Sequence, residues 1–119
     1  MKFLKQMFVI KKRVNIEKIR RIAQETFGNV VKVVVDIEKG IIALGAELHA
    51  DEEAELLEAG SKQENLWGIN IYPDADEKDY IEFDSLINLR PSQGNRTRGV
   101  DDPLVRQKII DIVKRLIER

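Results

Sequence analysis

The spacing of apolar positions changes several times along this chain, and each change marks an element. "KQMFVIKK" is a short β-rich run and predicts a strand. From Asn15 the period lengthens. Ile16, Ile19, Ile22, Ala23 and Phe27 fall on one side of a helix, while Lys18, Arg20, Arg21, Gln24 and Glu25 fall elsewhere. Asn15 is a natural N-cap, and Gly28 and Asn29 are stop signals. "NVVKVVVDI" reads as a strand, "EKG" as a tight turn and "IIALGAELH" as the returning strand, which together predict a hairpin. On the returning strand Ile42, Leu44, Ala46 and Leu48 should meet the core. Ala43, Gly45, Glu47 and His49 share the other face.

"DEEAELLEAG" predicts a short helix capped by Asp51 and ended by Gly60. "LWGINIYP" places Trp67, Ile69 and Ile71 on one strand face, opposite Gly68, Asn70 and Tyr72. After the polar turn "DADEKD", "YIEFDSLINLR" reads as a further strand with Ile81, Phe83, Ile87 and Leu89 on one side. "PSQGNRTRGVDD" is a long loop. Asp102 then caps a last helix that starts at Pro103, with Val105, Ile109, Ile112 and Leu116 in an apolar stripe. The order β-α-β-β-α-β-β-α predicts one α+β domain over residues 1–119. Three amphipathic helices and a largely antiparallel sheet should form two layers.

Composition narrows the class. Apolar residues make up 43% and charged residues 34% of the 119, the balance of a soluble globular domain. No apolar run approaches the roughly 20 residues that cross a bilayer. "MKFLKQMFVIKKRV" mimics a signal peptide only briefly, because Lys5 interrupts it and Lys11, Lys12 and Arg13 close it early. Without cysteine there is no disulfide framework and no thiolate metal site, and the expected location is the cytoplasm, with no membrane partner. Abundant Lys and Glu would suit a thermophile.

The net charge of −1 hides a segregation. Residues 1–39 carry ten Lys/Arg against four acids, residues 40–89 carry thirteen acids against two Lys, and residues 90–119 carry eight Lys/Arg against four acids. Such a pattern fits internal charge complementarity. It equally fits a basic face for an anionic partner, or contact between copies in a homodimer.

Two stretches carry candidate chemistry. In "GAELHAD" the only histidine, His49, should lie two strand positions from Glu47, a spacing at which a carboxylate orients or charges an imidazole. The alternative is a half-exposed histidine at a strand end. Glu47, His49 and Glu82 or Asp84 would offer a metal one nitrogen and several oxygens, but no second histidine or cysteine supports that, so no metal site and no cofactor are assigned. In "NLRPSQGNRTRG", Arg90, Arg96 and Arg98 have the planar forks that grip phosphate or carboxylate, and Gly94 and Asn95 permit the turn that aims backbone amides at an anion. The alternative is a solvated loop paired with the acidic middle. No Walker motif or G-x-S-x-G elbow occurs. "KKR" and "KIRR" keep nucleic acid open as a partner, against a pI near 5.9 and few aromatics.

"LGAELHADEEAELLEAGSKQENLWGINIYP" and "EFDSLINLRPSQGNRTRGVDDP", taken together, resemble a small prokaryotic family of uncharacterised proteins, a domain-of-unknown-function family, over nearly the whole chain. The resemblance implies family membership and no reaction. The function expected from the residues is binding of an anionic small molecule, with Arg90 and Arg96 holding it, Asn95 and Asn88 orienting it, and His49 and Glu47 nearby. If the protein is an enzyme, His49 is the general acid or base, Glu47 sets its charge, and hydrolysis or phosphoryl chemistry leads the list. The other reading is a homo-oligomeric interaction module for protein or nucleic acid.

Overall fold

The computed structural model describes residues 7–119; Lys5 and Gln6 of the first predicted strand, and the leading part of the signal-like segment, lie outside them. The valine run and the returning strand form a hairpin, β3 (Val31–Asp36) and β4 (Ile41–Leu44). Asp36 builds its turn: Oδ1 accepts from the main-chain N–H groups of Glu38 and Lys39, both at 2.9 Å. Gly40 then takes a φ of 67°, a left-handed conformation that costs a glycine nothing.

Around this hairpin the sheet runs β1-β4-β3-β5-β6, all antiparallel, with β1 (Phe8–Ile10), β5 (Leu66–Ile71) and β6 (Ile81–Glu82). A separate two-residue parallel pairing joins β2 (Val14–Asn15) to β7 (Ile117–Glu118). The helices are α1 (Ile16–Glu25), α2 (His49–Glu58), the single turn α3 (Glu77–Tyr80) and α4 (Pro103–Leu116).

Strand alternation gives the sheet two unlike faces. Val31, Val33, Val35, Ile42, Leu44, Ile69 and Ile71 pack with Ile19 and Ile22 of α1 and Ile109, Val113 and Leu116 of α4 in the main core. Each such side chain, fully buried, contributes about 1.5–3 kcal/mol relative to exposure. On the opposite face Val34 and Ala43 meet Leu56 of α2 and Leu66 in a smaller cluster. The domain is therefore α+β with an antiparallel sheet, as expected, and α2 adds a partial third layer to the two anticipated.

Both long amphipathic helices begin where their caps predict. Asn15 Oδ1 accepts from Glu17 N at 2.9 Å, and Asp102 Oδ1 from Leu104 N at 2.9 Å, just before Pro103. Helix α1 ends at Glu25 and not near Phe27, which stands 47% exposed.

Two predicted strands are shorter than their alternation suggests. β4 stops at Leu44, because Gly45 turns the chain at φ 104°. Leu48, expected in the core, is 58% exposed, and the next helix starts at His49, so Asp51 is a first-turn acid and not the cap. The strand predicted from Tyr80 to Arg90 pairs with β5 only at Ile81 and Glu82. Beyond it lie a 3-10 turn at Leu86–Asn88 and another at Pro91–Gln93.

Candidate functional site

The two landmark stretches meet over β5. Gly68 sits on the α2 face of the sheet, opposite Val34. A Cβ placed on it would come within 2.6 Å of Ser85 Cβ and Oγ and 3.2 Å of His49 Cδ2. Only a glycine lets the start of α2 and the turn after β6 close together on the strand at this point.

His49 comes from the first position of α2, pulled inward and 7% exposed. Its Nε2 is 2.7 Å from the main-chain oxygen of Ile69. A carbonyl only accepts, so Nε2 carries the proton and Nδ1 remains an acceptor. Burial, above all, pushes the imidazole down to about 4; Lys32 and Arg98 push the same way, against the Ile69 carbonyl and Asp84. The ring is neutral at physiological pH. Glu47 does not share a strand face with it, because β4 has ended; Glu47 is exposed in the connection.

About one and two turns along α2's inward face from His49 stand Glu52 and Leu56, both fully buried. Glu52 Oε2 accepts from Ala46 N at 3.1 Å, and Oε1 has no hydrogen-bond partner. Burial drives this carboxyl up to about 10, so it is a neutral acid.

The arginine loop is tied down more firmly than a solvated loop. Asn88, fully buried, accepts from Gly68 N at 2.8 Å and donates to Gly68 O at 2.9 Å and Arg98 O at 2.9 Å. Asn95 Nδ2 donates to the oxygens of Asn88, Thr97 and Gly99, and its Oδ1 accepts from Asp101 N at 2.8 Å. Arg90 lays its guanidinium over Trp67, 4.1 Å from the ring centroid, and donates to the oxygens of Gln63 and Leu66, each at 2.6 Å. The outer edge of β5 is thus closed by three devices: Arg90 at Leu66, the Asn88 amide at Gly68, and β6 at Asn70 and Ile71. Asn88 and Asn95 spend their amide atoms on main chain, as Arg90 does its two terminal nitrogens, while Arg90 Nε is buried without a partner. Arg96 is exposed; its main-chain N–H donates to Asp101 Oδ2 at 2.8 Å.

Arg98 is the loop arginine placed with His49. A cleft of about 210 Å³ is lined by Lys32, His49, Asn70, Asp84, Ser85 and Arg98, with Leu48 and Leu86 also against it. Arg98 Nε donates to Asp84 Oδ1 at 2.7 Å, a half-exposed pair worth about 1 kcal/mol or less. Asn70, 8% exposed, donates to Glu82 Oε1 at 2.9 Å and Asp84 O at 3.1 Å, while its own Oδ1 is buried without a partner. Most buried polar atoms find partners, so an orphan acceptor beside a cleft is informative. The cleft combines two cations, one of them paired with Asp84, a neutral imidazole, and Asn70 with its buried, unmet amide oxygen. Among the described residues no group of three or more His, Asp or Glu is placed to hold a metal.

Sequence reasoning passed over Lys32, Asn70 and Ser85 as site residues. A signal existed for Lys32, the one charge inside "VVKVVV" and out of phase with Val31, Val33 and Val35. Asn70 and Ser85 carry no such mark, since only the folded chain leaves Asn70 Oδ1 unpaired.

Among the described residues no helix is long and apolar enough to cross a membrane. A family model described as "Protein of unknown function (DUF5674)" matches residues 8–116, and the chain belongs to that family. No curated protein and no solved structure matches it.

Proposed function

We propose that this DUF5674 member binds a small anionic metabolite that carries a hydrogen-bond donor next to its carboxylate or phosphate. The ligand's anionic end would sit between Lys32 and Arg98, with its donor on Asn70 Oδ1 and a second donor or water on His49 Nδ1. The observation that carries this reading is that Asn70, whose buried Oδ1 has no partner, lines the same cleft as two cations. A volume near 210 Å³ favours a ligand smaller than the usual drug-sized guest, whose pockets start at about 300 Å³. An imidazole held down at about 4 is a weak base at neutral pH, which favours binding over hydrolysis.

The test is an NMR titration with lactate and L-serine, which pair a carboxylate with a donor, and with acetate, which lacks the donor. Lactate or serine should saturate shifts at Lys32, Ala50, Asn70 and Ser85, with acetate about tenfold weaker. Arg98→Ala should abolish the effect. Equal response to all three probes, or an unchanged response in Arg98→Ala, overturns the reading.

One observation favours a second reading, a protein-binding face. Leu48 and Leu86, 58% and 67% exposed, stand at this same cleft. A second copy could cover them, as the homo-oligomer alternative requires. Sedimentation of the wild type against Leu48→Glu and Leu86→Glu distinguishes it, because only an interface dissociates on the added charges.

A further inference from the structure

A larger cavity lies on the α4 side of the sheet and shares no lining residue with the His49 cleft. Its volume is about 650 Å³, within the roughly 300–1,000 Å³ of small-molecule sites. Its apolar floor is Tyr80, Ile81, Phe83, Ile110 and Ile117. Around this floor stand Arg13, Lys78, Arg106, Lys114 and Arg119, with Glu77 the only acid of the lining. In a chain with net charge −1, such a concentration of cations over apolar surface is a local departure from the whole.

The cations are not equivalent. Arg13 Nη1 donates to the oxygens of Lys114 and Arg115 at the end of α4, a structural use. Lys114 pairs with Glu77 at 3.5 Å, both well exposed. Arg106 and Arg119 instead lie flat on aromatic rings, with Cζ 4.3 Å from the centroid of Phe83 and 3.9 Å from that of Tyr80. Neither is in a salt bridge among the described residues. A guanidinium stacked on one ring keeps its other face for a second flat group; Arg119 spends an edge donor on Ala75 O at 2.5 Å, while Arg106 makes no side-chain hydrogen bond among the described residues and keeps its edge for an anion. The Tyr80 hydroxyl, in a residue 5% exposed, is buried with no partner.

We propose that this groove binds an aromatic phosphate: a ring stacked among Phe83, Arg106 and Arg119 over the apolar floor, its phosphate held by Arg106 and Lys114. Stacked guanidiniums favour a flat body over an alkyl chain, and a hollow of about 650 Å³ favours a lone small molecule over a strand of nucleic acid. The inference is independent of the His49 cleft.

The probe is 1-naphthyl phosphate in isothermal titration calorimetry, against inorganic phosphate. Wild type should bind the aryl ester saturably at one site and inorganic phosphate at least about tenfold more weakly, because the ring reaches apolar surface. Arg106 and Lys114 are exposed, so Arg106→Ala and Lys114→Ala should fold, as circular dichroism would verify, and each should weaken aryl binding about tenfold. Arg98→Ala, in the other cleft, should leave it unchanged. No saturable binding, equal binding of inorganic phosphate, or loss in Arg98→Ala with retention in Arg106→Ala overturns the proposal.

Discussion

The side chain of Asn88 pairs with Gly68 as a neighbouring strand would, accepting from its N–H at 2.8 Å and donating to its carbonyl at 2.9 Å. β6 reaches only Asn70 and Ile71, so without this amide both main-chain groups of Gly68 would lose their partner. Asn88→Ala should cost about 2–4 kcal/mol, because buried donors and acceptors are left unmet. Asn88→Asp keeps the acceptor and loses the donor as long as it is ionised. Its stability should recover towards wild type in acid, where the carboxyl regains a proton. Urea unfolding at pH 4 and pH 7 measures both, and an Asn88→Asp deficit independent of pH would sink the assignment.

Gly68 is required for space. Gly68→Ala drives a methyl into Ser85 and against the His49 ring, and should destabilise by about 1–3 kcal/mol. Pairing it with Ser85→Gly removes the closest clash and should return more than half of the loss. Thermal melts of the two single variants and the double variant form the cycle. Additive losses would show that the two side chains do not compete for one volume.

Two buried groups give stability opposite pH slopes. The folded chain holds His49 near 4, against 6.5 when free, so its contribution is present above pH 6.5 and is lost as pH falls from 6.5 to 4. The folded chain holds Glu52 near 10, against 4.5 when free, so its contribution is present below pH 4.5 and is lost as pH rises towards 10. Between 4.5 and 6.5 the two slopes cancel, leaving a plateau. His49→Gln keeps a donor for Ile69 O and should erase the acid limb. Glu52→Gln keeps an acceptor for Ala46 N, should erase the alkaline limb and should stabilise by about 2 kcal/mol near neutral pH. Unfolding midpoints from pH 4 to pH 9 decide it; a Glu52→Gln curve parallel to wild type would show that Glu52 is ionised in the fold.

Elements with local signals were legible in the sequence. Asn15, Asp102 with Pro103, and the Asp36–Gly40 turn state their roles in their own few residues, and the valine run states its pairing. α2 hid its true start because its inward face opens with His49 and Glu52 before reaching Leu56. A hydrophobic period cannot register two buried polar residues, so the alternation of "GAELHAD" read as strand. Similarly, "SLINLR" alternates like a strand, yet at Asn88 and Arg90 it is the side chains that pair with β5. That substitution also explains the site. His49 and the arginine loop do converge, but through Arg98, while Arg90, Asn88 and Asn95 face main-chain groups that no sequence pattern advertises.

The edge of β5 has one more consequence. An open strand margin invites another molecule to add itself, the first step towards fibrils. Here the inviting groups at Leu66 and Gly68 are already taken by a guanidinium and an amide, which offer a newcomer no continuing row of main-chain donors and acceptors. The sheet is sealed on that flank against growth by stacking, at the expense of two side chains and without a further strand.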